Sequence, residues 1–255
     1  MLHLRQVCLV ARDLAPVEED IAAILGLSPA FRDPAVAKWG LENAVFPVGT
    51  QFLEVVAPTA ADTPAGRFMD RRGGDAGYMV ILQTDDQAAY RARAAAAQVR
   101  TAFEFTDAGD GYSCWQLHPR DTGAAFLEID QQRGDDPTGG WHPAGPEWEA
   151  HKRTDRVTGV SAVTLTAADP EALAARWQAV LDRPLVRRGD VLVLALDNAE
   201  LHFAPAPTDG SGEEMTGITF RAADAGSVRA TAAGRDRAGP DGAVYLCGVR
   251  LEFEQ

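Results

Sequence analysis

Cysteine is scarce: Cys8, Cys114 and Cys247 are the only three, far apart and without a Cys-x-x-Cys spacing. An odd, scattered set excludes a disulfide framework and a thiolate-clamped structural zinc, and predicts buried, unreactive thiols inside strand-like segments. Long apolar runs are also missing. None approaches the roughly 20 residues of a membrane span, and Met1–Arg5 enters a strand pattern with no leader-like apolar core, so a cytoplasmic location without a membrane partner is the expectation. Basic charge is in deficit: 24 Lys and Arg against 37 Asp and Glu leave a net charge of −13. That balance, with no Lys/Arg cluster, excludes nucleic acid as a partner. No Gly-x-Ser-x-Gly elbow, Walker loop or Gly-x-Gly-x-x-Gly turn is present, so neither a hydrolase elbow nor a nucleotide cofactor is indicated. What is present, 255 residues of which 46% are hydrophobic and 24% charged, is an ordinary globular composition for one or two domains.

The chain repeats itself. Four segments carry an apolar–any–apolar triplet followed four residues later by Asp: Val7-Cys8-Leu9 with Asp13, Val80-Ile81-Leu82 with Asp86, Val163-Thr164-Leu165 with Asp169, and Ile218-Thr219-Phe220 with Asp224. Each triplet suits a strand with one face on a helix, and each Asp suits the cap of the helix that follows. The helices are expected over Leu14–Leu25, Gln87–Ala97, Glu171–Leu181 and Ala225–Ala233, with Pro16 and Pro170 in first turns and Gly26 and Gly234 at ends.

Short strands follow each helix: Ala37–Pro47 and Gln51–Ala57; Thr101–Thr106, Tyr112–His118 and Ala124–Asp130; Leu185–Arg187, Val191–Leu196 and Ala199–Ala204 around an Asp197-Asn198 turn; Val244–Leu246 and Val249–Phe253. Every unit reads βαβββ. Residues 131–155, rich in Gly, Pro, Asp and Trp, read as a linker between halves 1–130 and 156–255.

Four such units taken in pairs resemble the vicinal-oxygen-chelate superfamily of glyoxalase I, methylmalonyl-CoA epimerase, extradiol dioxygenases and the fosfomycin- and bleomycin-resistance proteins. The segment Leu117-His118-Pro119-Arg120-Asp121-Thr122-Gly123, running on to Phe126-Leu127-Glu128-Ile129, is similar to the epimerase branch. Gln51-Phe52-Leu53-Glu54-Val55-Val56-Ala57-Pro58 looks like the end of a first unit, and Gly139-Gly140-Trp141-His142-Pro143-Ala144-Gly145-Pro146 like a glyoxalase-like tail. The resemblance implies an α+β fold of four βαβββ units, forming two cup-shaped mixed sheets covered by helices. It also implies a divalent metal on the cup floor, with Gln6, Glu54, Met79 and Glu128 at the ligand positions. Met79 stands where the family usually has His, and a thioether is a poor ligand for the hard ions that carboxylates hold. The implied cofactor is therefore one divalent ion (zinc, nickel, cobalt or manganese) on Gln6, Glu54 and Glu128, or none. The iron ligand positions of the extradiol enzymes fall on Ala162, Gly217 and Glu252, so that chemistry is not expected. Glu200 and His202 join Glu252 only if the strand shifts register; otherwise they face solvent.

Strand parity supports the placement independently. If Val7 and Leu9 face a helix, Gln6 and Cys8 face the other way, as do Glu54, Met79 and Glu128 on their strands. Carboxylates facing one another in an apolar cup need a cation or a proton between them. Glu54 and Glu128 read as metal ligands or general bases, the alternative being solvated strand ends. His118 and Arg120 read either as contacts to an anionic substrate group at the cup mouth or as turn residues. Trp141 and His142 read either as a lid over the cup or, with Trp148, as anchors of the linker, the latter being favoured; Trp39, Trp115 and Trp177 read as packing residues. Cys8 and Met79 complete the candidate lining.

The functional expectation is a glyoxalase- or epimerase-type lyase or isomerase that abstracts a proton from a small carbonyl compound or 2-oxo acid in the N-terminal cup. The alternative is a metal-free protein of the bleomycin-resistance type that binds or sequesters a small molecule. A small-molecule ligand is the expected partner, the chain being a monomer or homodimer.

Overall fold

The computed structural model describes residues 1–207 and 212–255. Along the chain the first half forms β1 (Leu2–Val10), α1 (Leu14–Leu25), β2 (Leu41–Val48), β3 (Gln51–Pro58), α2 (Pro64–Arg72), β4 (Ala76–Thr84), α3 (Gln87–Ala96), β5 (Thr101–Asp107), β6 (Tyr112–Leu117), α4 (Pro119–Thr122) and β7 (Phe126–Gln132). The second forms β8 (Val157–Ala167), α5 (Pro170–Leu181), β9 (Leu185–Arg188), β10 (Val191–Ala195), β11 (Glu200–Pro205), β12 (Glu214–Ala222), α6 (Ala225–Gly234), β13 (Val244–Leu246) and β14 (Val249–Glu254). The strands make two seven-stranded mixed sheets, ordered β2-β3-β1-β4-β7-β6-β5 and β13-β14-β12-β8-β11-β10-β9. Each sheet takes its strands from one half of the chain. No helix among the described residues is long and apolar enough to cross a membrane.

The repeated Asp caps its helix in three cases of four. Asp86, Asp169 and Asp224 accept from the backbone N–H three residues on, at 3.1, 2.9 and 2.9 Å. Asp13 makes no such bond, although α1 runs over the expected residues and ends at Gly26 with φ 70°. The expected strand over Ala37–Pro47 is corrected at its start. Pro34–Trp39 is a 3-10 helix, with Pro34 in its first turn and the Asp33 carboxylate accepting from Ala35 N–H, and β2 begins only at Leu41. The first module is therefore βαββ, its third strand reduced to a single Phe31–Val45 bridge; the fourth has an equivalent Ala238–Val244 bridge. Cys247 is corrected too: it lies in the turn between β13 and β14 at φ 49°, while Cys8 and Cys114 sit in strands, and all three are buried and outside any disulfide.

Contacts cluster into two compact units. One comprises residues 1–5, 79–140 and 162–216. Within it α3 packs on α5, and the buried Trp177 indole N–H donates to the Thr122 carbonyl at 2.9 Å. The other comprises residues 6–78, 141–161 and 217–255. Within it α1 packs on α6, and buried Asp20 accepts from the Arg235 and Arg237 guanidiniums at 2.7 and 2.5 Å.

Candidate functional site

In the unit that holds most of β1 together with β2 and β3, register decides which side chains meet. β1 and β3 run parallel with Cys8 opposite Glu54, and β2 runs antiparallel to β3 with Val45 opposite Glu54 and Asn43 opposite Val56. Residues paired this way share a face, so Gln6, Cys8, Asn43, Glu54 and Phe52 lie on one side of the sheet. The other side carries Val7, Leu9, Leu53 and Val55, all buried, against which α1 packs.

Glu54 is buried and bridged by two neutral amides. Gln6 Nε2 donates to its Oε2 at 2.8 Å, and Asn43 Nδ2 donates to its Oε1 at 2.6 Å. The Trp141 indole N–H donates to Gln6 Oε1 at 2.8 Å. Because an indole can only donate, Trp141 fixes the Gln6 amide with its NH2 toward Glu54. Tyr78, also in this unit, has its phenol pKa raised by burial, with further contributions from Cys8 and Glu54, so it keeps its proton. Segment 141–161 covers this face through Trp141 and through Trp148, which stands edge-on to Phe52 at 5.1 Å, while Gln51, of the opposite parity, grips Val160 by its backbone N–H and carbonyl at 2.7 and 2.9 Å. Trp141 and Trp148 thus tie this segment to the sheet, Trp141 through Gln6 and Trp148 against Phe52.

The metal set that the resemblance implies does not fit this geometry. For Gln6 and Glu54 to share a cation, the Gln6 carbonyl must point where the carboxylate points; here its NH2 points there and its carbonyl is taken by Trp141. Met79 adds no charge, lying buried on β4 opposite Phe126.

Glu128 belongs to the other unit and keeps different company. In β7, Glu128 and Asp130 alternate on one face, with Ile81 of β4 beside Glu128 and Gln116 of β6 opposite it. Cys114, Glu128 and Asp130 are all buried, and one ligand atom from each lies within 4.8 Å of the others, a group compact enough to hold a cation. Asp130 Oδ2 accepts from the Tyr112 hydroxyl at 2.5 Å and Oδ1 from Trp115 N–H at 3.2 Å. Burial raises the pKa of both carboxyls, and the charge of Glu128 and the hydrogen bond between them raise Asp130 further, so without a cation the pair shares a proton. Burial also pushes the Cys114 thiol and the Tyr112 phenol well up.

The remaining candidates take structural positions. His118 caps α4, its Nδ1 accepting from Arg120 N–H at 3.2 Å, and Arg120 is exposed. His142 is half-buried at the start of a short 3-10 helix. Glu200 is gripped by both Arg188 amino groups at 2.7 and 2.8 Å and by His202 Nε2 at 2.9 Å, while Glu252 pairs with Arg250 at 3.0 Å. Sequence reading missed Asn43, Tyr78 and Asp130. Asn43 shares parity with Val45, and Asp130 shares parity with Glu128, so alternation alone carried the signal for both.

The sequence matches the glyoxalase-like domain family over residues 7–181, so the chain belongs to that family and, with it, to the vicinal-oxygen-chelate superfamily. Among solved structures, a hypothetical protein from Staphylococcus aureus is 12% identical, with a TM-score of 0.67 over 100% of this chain and 99% of that one. A mutant of 4-hydroxymandelate synthase from Streptomyces coelicolor is 14% identical, with a TM-score of 0.69 over 92% of this chain and 75% of that one. At these identities the likeness shows a shared fold. Comparison with curated proteins finds no match.

Proposed function

We propose that the protein is a glyoxalase-like enzyme that abstracts a proton next to the carbonyl of a small carbonyl compound or 2-oxo acid, with Glu54 as the base. The observation that carries this reading is the Glu54 clamp. Two neutral amides, one of them oriented by an indole, hold a buried carboxylate in one orientation. A carboxylate held this way has a fixed direction, which supplies the alignment that proton transfer needs. The enediolate formed on the substrate needs a hydrogen-bond donor, and the protonated Tyr78 phenol, which feels the Glu54 charge, is of that kind.

A second reading, a binding or sequestering protein, is favoured by one observation: segment 141–161 covers the face that bears Glu54. The two separate in one experiment. The protein is incubated with a panel of 2-oxo acids and methylglyoxal–thiol adducts in D2O, and exchange of the proton next to the carbonyl is followed by NMR. Wild type is expected to accelerate exchange on at least one compound, and Glu54→Gln to lose at least about 100-fold of that rate while still giving a ligand-induced rise in melting temperature. A melting-temperature rise without exchange in wild type establishes the sequestering reading instead.

A further inference from the structure

We propose that Cys114, Glu128 and Asp130 form a binding site for one divalent cation of the zinc class. The site shares only Glu128 with the set implied by family resemblance. It does not rest on the Glu54 reading, because its residues all belong to the other compact unit.

β6 and β7 are antiparallel neighbours, with Gln116 opposite Glu128 and Ser113 opposite Gln131. This register places Cys114 beside Asp130 and puts one sulfur and two carboxylates on a single face. Their ligand atoms lie within 4.8 Å of one another. Metal–ligand distances of about 2.0–2.3 Å at tetrahedral angles need separations of roughly 3.4–3.8 Å. A contraction of about 1 Å, within the reach of side-chain torsions, closes the site.

Charge supplies the second observation. Glu128 and Asp130 are buried, 4% and 0% exposed, and no Lys, Arg or His among the described residues pairs with either. Elsewhere in the molecule a buried carboxylate does have its cation: Asp20 has two arginines. Two buried carboxylates in contact demand a proton or a metal ion between them. Metal binding leaves the net charge of the group unchanged. The thiol and the shared carboxyl each release one proton, and one M2+ takes their place against three anionic ligands. The exchange therefore adds no net charge to the buried group.

The donor set selects the ion. A thiolate among the ligands disfavours magnesium and calcium, which take oxygen alone, and suits zinc or its spectroscopic stand-in cobalt. Three protein ligands leave a fourth position, and half-buried Gln116, hydrogen-bonded to Glu128, is placed to fill it or to orient a water there.

The test uses the full chain, reduced and freed of metal, titrated with Co2+ or Zn2+. One ion per chain is expected, with a thiolate-to-cobalt charge-transfer band that is lost in Cys114→Ser and retained in Glu54→Gln. Asp130→Asn is expected to weaken Zn2+ binding by at least about tenfold. Infrared spectra of the metal-free protein should show a protonated carboxyl stretch that disappears on loading. If Cys114→Ser fails to fold, the Cys8→Ser, Cys247→Ser double variant, which keeps Cys114 as the sole thiol, must still give the band. Absence of a bound ion, a band that survives Cys114→Ser, or a protonated carboxyl that persists in the loaded protein overturns the site and leaves a shared proton as its occupant.

Discussion

Trp141 sets the direction of an amide that would otherwise be free to flip. A Gln side chain presents its oxygen or its nitrogen with nearly equal shape, and here an indole N–H 2.8 Å from the oxygen decides between them. The Gln6 nitrogen is then committed to Glu54, and the carboxylate is held from both sides. Trp141→Phe keeps the ring and removes the donor. It should lower the unfolding free energy by about 1–2 kcal/mol, read as a reduced urea midpoint at unchanged slope. Proton exchange by the variant should fall more steeply than ligand binding does, because the base loses its fixed direction and the pocket does not lose its shape. Equal falls in both would mean that Trp141 only packs. Gln6, Glu54 and Glu128 were legible at this scale because strand alternation needs no tertiary information. Asn43 lies within the expected strand, and its alternation was legible too, but its meeting with Glu54 depends on the pairing register of β2 on β3, which the sequence does not fix.

Among the helices, one sequence signal produced two outcomes. The repeated Asp precedes α1, α3, α5 and α6, yet only the last three receive a side-chain cap bond. Asp169→Ala should therefore cost about 1 kcal/mol of stability, whereas Asp13→Ala should cost a few tenths at most. Paired thermal melts of the two variants check this, and equal losses would show that the Asp acts through its charge near the helix start and not through the bond. The sequence marked where α1 begins because Pro16 and Gly26 fix its ends through backbone geometry alone. Whether a carboxylate turns toward the free N–H groups depends on its side-chain rotamer, which packing sets.

At the scale of the molecule, contacts distant in sequence hold the start of the chain. In the unit containing residues 1–5 and 162–216, Leu2 N–H donates to Asp197 Oδ2 at 2.8 Å, Asp197 N–H donates to the Leu2 carbonyl at 2.9 Å, and Arg183 pairs with the same carboxylate at 2.8 Å. Burial alone would raise the Asp197 pKa, but the Leu2 N–H, Arg183 and His3 outweigh it and the net shift is downward. A depressed carboxylate contributes stability above its unfolded pKa of about 4, and that stability is lost as pH falls through the lower folded value. Asp197→Asn should be less stable than wild type by about 0.5–1 kcal/mol at pH 7, with the gap closing as pH drops below about 4. A gap that stays constant down to pH 2 would assign the effect to packing.

The sequence by itself determined the repeat, the helices, the division of strands between two sheets and the faces on which Gln6, Glu54 and Glu128 lie. All of these follow from local periodicity: an alternation of two places a side chain on a face, and Pro, Gly and Asp mark the ends. Only the tertiary structure decided which groups on those faces meet. Register between β1, β2 and β3 joined Glu54 to Gln6 and Asn43, and the fold of residues 141–161 brought Trp141 onto Gln6. Register between β6 and β7 placed Cys114 beside Glu128 and Asp130. Partner choice at such distances is set by which strands pair and by how far they slide, and neither quantity is written in the alternation of a single strand.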